Sequence, residues 1–331
     1  MDEKILESRE NMEQERSPLE LNERELDAVH SVSAKIDLSD PLRAQQYGAS
    51  VQGALAQFTA SCVGSARGRE LGETAENMVE LRAALKAFRA EETGKGFFFA
   101  LFSKQADRRE LLRNRYLTLL TSVESTAEEL EGVQLQLAKD LEQISQLEQK
   151  CVDFFKMVTI YVLAGKRRLR RERETTLANM REIARRTGVS GDAQAVKDYE
   201  ESCRLFEVRL GDLEQTREIC LSIMPQLSLL RETVEDLSVK LSACFVDAVS
   251  NWKERIVHDL RLGNAPAEAN QETVDRGRPD GDAAKYTCSM LVKAMDELLR
   301  NHAVSMQNYA SAETELRRID SQMQQKVLEL I

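Results

Sequence analysis

The sequence predicts an all-α protein, an extended helical bundle built on a long antiparallel coiled-coil hairpin. Helix breakers are scarce, with 5 Pro and 15 Gly in 331 residues. Charged residues make up 31% of the chain and aromatics 5%, the balance of long amphipathic helices rather than of a sheet core. The third observation is periodicity between Tyr199 and Leu262. With Cys203 at heptad position a, the d positions are Phe206, Leu213, Cys220, Leu227, Val234, Leu241 and Ala248.

The a line of that stretch is mixed. It holds Leu210, Met224, Phe245 and Trp252, but also Arg217, Arg231 and Ser238, while Ile223, Leu230, Leu237 and Cys244 add apolar g positions. A broadened, charge-interrupted seam fits a multi-helix bundle better than a two-stranded zipper. At about 1.5 Å per residue the element would be on the order of 90–100 Å long.

The N-terminal residues 1–16 are polar and charged and are expected to be disordered, with a single elongated helical domain over 17–331. Ser17-Pro18-Leu19-Glu20 reads as a capping box opening a helix, with Leu19, Leu26, Val29 and Ile36 as its buried stripe. Asp40-Pro41 repeats the cap-then-proline signal, and the helix it opens is expected to bury Leu42, Ala49, Phe58 and Cys62 before Gly64. Gly64 to Gly72 reads as a loop, after which Met78, Leu81, Leu85 and Phe88 mark a short amphipathic helix. A Gly-rich turn then carries Phe97, Phe98, Phe99 and Phe102, either a packing turn that plugs a bundle end or a membrane-surface contact.

A long helix over about 107–186 shows 4- and 3-residue apolar spacings with a stutter near Leu137 to Leu141. The break TGVSGD separates it from the second long helix, about 192–262, and an antiparallel hairpin is the economical arrangement. The Pro- and Gly-containing stretch 263–281 is expected to be a flexible connection, followed by a last helix over 282–331 with the stripe Leu291, Met295, Leu298, His302, Met306, Tyr309, Leu316, Ile319, Met323, Val327 and Leu330. Pro225 removes a donor from the second long helix and is expected to bend it.

A net charge of -10 argues against a nucleic-acid partner, because phosphate binding needs clustered Lys and Arg. Six cysteines without a CxxC pair read as reduced core residues. No basic-then-apolar leader opens the sequence and no apolar run approaches the ~20 residues of a spanning helix. The expected location is therefore the cytoplasm, with membrane contact only from the surface at its inner face.

Read together, several strings resemble the toxic-anion-resistance family, the TelA-like tellurite-resistance proteins of bacteria. They are IDLSDPLRAQQYGASVQ at Ile36, GFFFALF at Gly96, IYVLAGK at Ile160, FEVRLGDLEQTREICLSIMPQLSLLRE at Phe206 and NWKERI at Asn251. The departure from the family pattern is the 263–281 connection, where the family tends to continue as helix. The resemblance implies a stress-response role in resistance to tellurite and other toxic agents, without an established catalytic activity, and it supplies no catalytic motif.

The residues agree with that silence. His30, His258 and His302 are far apart in sequence, and AGKR at Ala164 has Ile160 and Arg167 where a phosphate loop needs Gly and Ser or Thr. No catalytic residue, cofactor or metal site is expected. Cys203, Cys220 and Cys244 are too widely spaced along one helix to pair, so thiol reduction of tellurite is the lesser reading.

The candidate contact residues are basic. Lys166, Arg167, Arg168, Arg170 and Arg171 form a run that reads as a solvated face partly neutralised by Glu, or as a receptor for lipid head groups or an acidic partner. Arg217 and Arg231, two heptads apart in a positions, must pair, snorkel or line an anion pocket or subunit interface. The leading expectation is a non-catalytic module that binds partner proteins of a stress-resistance system or the membrane surface and forms homo-oligomers. The alternative is an oxyanion-binding or thiol-dependent tellurite-detoxifying protein.

Overall fold

The computed structural model describes residues 19–66, 73–92, 106–254 and 281–329, and among these every regular element is a helix. The elements are α1 (Glu23–Lys35), α2 (Pro41–Gln45), α3 (Ala49–Ser65), α4 (Glu73–Glu92), α5 (Ala106–Arg171), α6 (Leu177–Thr187), α7 (Ser190–Ser242) and α8 (Gly281–Leu328). A π-helical turn, Glu172–Thr176, joins α5 to α6, and a second, Ala243–Val249, follows α7. The sequence-predicted helices 107–186, 192–262 and 282–331 correspond to α5 with α6, to α7 with the helical residues that continue through 254, and to α8; residues 255–262 lie outside the described residues. The Phe97 to Phe102 turn, the 1–16 segment and nearly all of the 263–281 connection lie outside the described residues.

The first helix starts later than its proline suggested. Residues 19–22 are non-helical, and the cap is Asn22, whose side chain accepts from the Glu25 amide at 2.9 Å while Glu25 accepts from the Asn22 amide at 2.7 Å. Counting from Asn22, Val29 and Ser33 point into the core, and Leu26 is 47% exposed rather than buried. Asp40 caps α2 as expected, accepting from the Leu42 amide at 3.0 Å. That helix stops after one turn, because Gly48 adopts φ +74° and redirects the chain into α3. Leu42 is consequently 68% exposed, whereas Phe58 and Cys62 of α3 are buried as expected.

The contacts divide the chain into two compact units. The first gathers the described residues of Met1–Arg67, Ile144–Leu229 and Ser311–Ile331; the second gathers those of Gly68–Gln143 and Leu230–Ala310. In the first, Val29, Ile36, Leu38 and Val51 pack on Val158, Val162, Leu169, Phe206, Leu210 and Leu213. Cross-helix pairs Arg181–Glu200, Arg173–Glu207, Lys166–Glu214 and Cys151–Cys220 ascend along one partner and descend along the other, so these stretches of α5–α6 and α7 run antiparallel. Gly165 permits a close approach between them. A Cβ there would lie 2.3 Å from Leu210 Cδ2 and 3.3 Å from the rings of Phe206 and Tyr47. Thr59 of α3 donates to Asp320 Oδ1 of α8 at 2.6 Å, tying the last helix into the same core.

The second unit is held by the same physics. Met78, Leu81 and Leu85 of α4, Leu119, Val123 and Leu130 of α5, Leu230 and Leu237 of α7, and Leu291, Met295 and Leu298 of α8 are buried. Polar links ring this core: Asn77 donates to both Glu129 oxygens at 3.1 Å, Arg82 to Asp296 at 2.7 Å, and Gln134 to Ser242 at 2.8 Å. Trp252, just beyond the second π-helical turn, is 2% exposed.

Candidate functional site

The seam of α7 is broadened, as the heptad reading indicated, and its g line is more deeply buried than that reading made it. The d residues Phe206, Leu213, Cys220, Leu227, Val234 and Leu241 are buried, but so is every g residue: Ser202, Arg209, Thr216, Ile223, Leu230, Leu237 and Cys244. The a line is buried at Cys203 and Leu210 and half-exposed farther along, at Arg217, Met224, Arg231 and Ser238. Arg217 and Arg231 are accordingly half-buried and pair on their own helix, Arg217 with Glu218 at 3.3 Å and Arg231 with Glu235 at 3.0 Å. Arg217 Nε is enclosed without an acceptor. The two arginines belong to different units. Pro225 sits on the exposed side of α7, within a continuous helix.

The buried cation of this helix is Arg209, only 4% exposed. Its Nε donates to the Tyr47 carbonyl at 2.8 Å and its Nη2 to Gln52 Oε1 at 2.6 Å. Gln52 Nε2 then donates to Thr216 Oγ1 at 2.6 Å. Tyr47 O–H donates to the Tyr161 carbonyl at 2.8 Å, and burial, reinforced by Tyr161, pushes its phenol far above the ordinary value. Arg209 thus pins the turn at Gly48 to the long helices. Three of the strings quoted above, those at Ile36, Ile160 and Phe206, converge here in one packed junction.

The basic stretch of α5 and α6 carries nine Lys and Arg against three Glu from Lys166 to Arg186. Its side toward α7 is neutralised. Lys166 pairs with Glu214, Arg181 donates to Glu200 at 2.6 Å, and Arg173 grips Glu207 with two bonds of 3.1 and 2.6 Å. Arg185 and Arg186 share Glu182. Beneath them Glu172, 5% exposed in the π-helical turn, accepts from Tyr199 O–H at 2.8 Å. Arg168 Nε lies 2.8 Å from the same carboxylate but outside hydrogen-bond alignment. Burial raises the Glu172 carboxyl, yet hydrogen bonds from Thr176 and Tyr199 and the charges of Arg168 and Arg171 outweigh it and hold the group below the usual glutamate range.

The other side is different. Arg167 reaches His30 of α1, its Nη1 lying 3.3 Å from Nε2, and pairs with no carboxylate among the described residues. Arg170 and Arg171 are exposed and make no ion pair among the described residues. Arg167, Arg170 and Arg171 stand at i, i+3 and i+4, one face of one helix.

The six cysteines are all free and buried, as the sequence indicated. Three of them come from separate helices to one place, which spacing along one helix could not reveal. Cys151 of α5 donates to the Cys220 carbonyl of α7 at 3.4 Å, and Cys62 of α3 lies close enough for Cys151 to oppose its ionisation. Burial pushes the Cys62 and Cys151 thiols up to about 12 and the Cys244 thiol up to about 11. Among the described residues no group of three or more His, Cys, Asp or Glu is arranged to hold a metal ion, and no helix is long and apolar enough to cross a membrane.

Against known sequences, the profile of the toxic anion resistance protein (TelA) family matches residues 29–276. The chain belongs to this family. Among its TelA relatives, the TelA-like protein of Staphylococcus epidermidis is 22% identical over 340 residues, covering 94% of this chain and 90% of the relative. An uncharacterized protein of Listeria monocytogenes, Lmo1967, is 24% identical over 86% of this chain and 79% of its own length. The uncharacterized YaaN of Bacillus subtilis is 22% identical over 93% of this chain and 88% of its own. No solved structure matches. The TelA profile spans the Gly48 turn, the Arg209 junction and the basic face together.

Proposed function

We propose that this TelA-family chain is a non-catalytic interaction protein of a cytoplasmic stress-resistance system, acting at the inner face of the membrane or on a partner protein. The observation that carries the reading is the unequal treatment of one charge run. The cations facing α7 are matched by carboxylates, whereas Arg167, Arg170 and Arg171 are exposed on a single face and unmatched among the described residues. A packed helix needs no such surplus for its own stability, since like charges at i+3 and i+4 repel. A complementary anionic surface would relieve it.

A second reading, thiol-dependent or anion-binding handling of the toxic oxyanion, is favoured by the meeting of Cys62, Cys151 and Cys220. Their raised thiols weigh against it, because the thiolate is the reactive form and is scarce at neutral pH.

Two measurements separate the readings. Purification from the native cell, with soluble and membrane fractions analysed by mass spectrometry, is expected to recover partners or membrane-bound protein. Incubation with tellurite and a thiol reductant is expected to show no turnover above the protein-free rate. Turnover that disappears in a six-cysteine-to-alanine variant would establish the second reading instead.

A further inference from the structure

The unmatched cations are not alone on their surface. α1 and α5 run side by side in the same sense, as the Lys156–Glu25 contact at 3.2 Å and the Arg167–His30 contact at 3.3 Å show. One turn before His30 on α1 stands Leu26, and one turn before Arg167 on α5 stands Leu163, 39% exposed. Two exposed leucines and three guanidinia therefore share neighbouring, parallel helices. Glu174, one turn beyond Arg170, is also exposed and makes no ion pair with either Arg170 or Arg171.

We infer that this edge, Leu26 and Leu163 with Arg167, Arg170 and Arg171, docks on an anionic phospholipid surface. The inference rests on the interaction reading above and names its partner. A free phosphate is held by donors that converge from several elements into a concavity. Here the guanidinia lie in a row along one convex helix, which suits an array of headgroups, and the leucines beside them can enter the boundary between headgroups and acyl chains. Each cation near such a surface strengthens partitioning, and the effect falls away within a Debye length.

The test is partitioning of the full chain onto phosphatidylcholine vesicles and onto vesicles mixing phosphatidylcholine and phosphatidylglycerol in equal parts. Binding to the mixed vesicles alone is expected. The triple variant Arg167→Gln, Arg170→Gln, Arg171→Gln is expected to lose on the order of 100-fold in partitioning, while Arg173→Gln, taken from the neutralised side, loses little. All three replaced residues are exposed, and unchanged far-ultraviolet dichroism verifies that the variant is folded. Inorganic phosphate is expected to release the protein no better than sodium chloride of equal ionic strength.

No binding by the wild type overturns the inference, as does equal loss in Arg173→Gln or selective release by phosphate. If vesicles fail but a protein partner from the native cell is lost with the triple variant, the lipid inference falls and the interaction reading survives. If the triple variant keeps both, the interaction reading fails at this face too.

Discussion

The two sides of the basic stretch share one composition and differ in what answers it. Facing α7, Lys166, Arg173 and Arg181 meet Glu214, Glu207 and Glu200 across an antiparallel contact made tight by Gly165. Facing α1, Arg167 meets the His30 imidazole, and Arg170 and Arg171 meet solvent. A run of charge in a sequence is therefore two features folded together. One side closes the fold, and the other is left exposed.

The comparison breaks most severely at its closed side. Gly165→Val places a branched side chain where Leu210, Phe206 and Tyr47 already sit, and about 3 kcal/mol of stability should be lost in urea unfolding. Glu172→Gln removes a buried charge that Tyr199 and Arg168 serve, and about 1–2 kcal/mol should be lost at neutral pH. Its pH dependence has a definite sign. The folded carboxyl is held below its ordinary 4.5, so its stabilisation is complete above that value and is lost as pH falls through the lower, folded value. The gap between wild type and variant, followed by urea unfolding at successive pH values, should close in that acid window and be widest above it.

Arg173→Gln breaks an exposed two-bond ion pair and should cost about 0.5 kcal/mol, less at high salt, in the same assay. The smallest effect sharpens the contrast by its sign. Arg170→Gln with Arg171→Gln should leave the melting temperature unchanged or raise stability by about 0.2–0.5 kcal/mol, since a like-charge clash is removed. A clear loss there would mean these arginines belong to the closed side after all.

Much of this was legible one element at a time. The Asp40-Pro41 cap, the extents of α5 and α8, and the burial of all six cysteines follow from local signals of capping, periodicity and spacing. Two capping boxes competed near the start, Ser17 to Glu20 and Asn22 to Glu25, and the proline drew the reading to the wrong one. Leu26, one turn before Val29, lies at the edge of the Val29, Ser33 and Ile36 stripe and is exposed.

What was illegible is tertiary. Arg209 and Thr216 are polar residues on a buried line, so hydrophobic periodicity passed over them. The partner that permits Arg209 to be buried, Gln52, lies 157 positions away. Arg217 and Arg231 stand out in sequence because a charge in an a line is unusual, yet from 217 to 238 that line is half-exposed while d and g face inward. The cysteines show the same limit: spacing along α7 separates Cys203, Cys220 and Cys244, while packing joins Cys220 to Cys151 and Cys62.

The contrast between the two sides can be read directly with an environment-sensitive fluorophore, because the native thiols are buried and leave an introduced surface cysteine selectively reactive. Leu163→Cys labels the edge beside Arg167, and Val208→Cys labels the exposed surface of α7 in the same unit. Adding mixed phosphatidylcholine and phosphatidylglycerol vesicles should shift the emission at 163 to the blue and expose it to quenching by lipid-borne nitroxide, with the label at 208 unaffected. Equal changes at both positions, or a change at 208 alone, would contradict the assignment of docking to the unneutralised side.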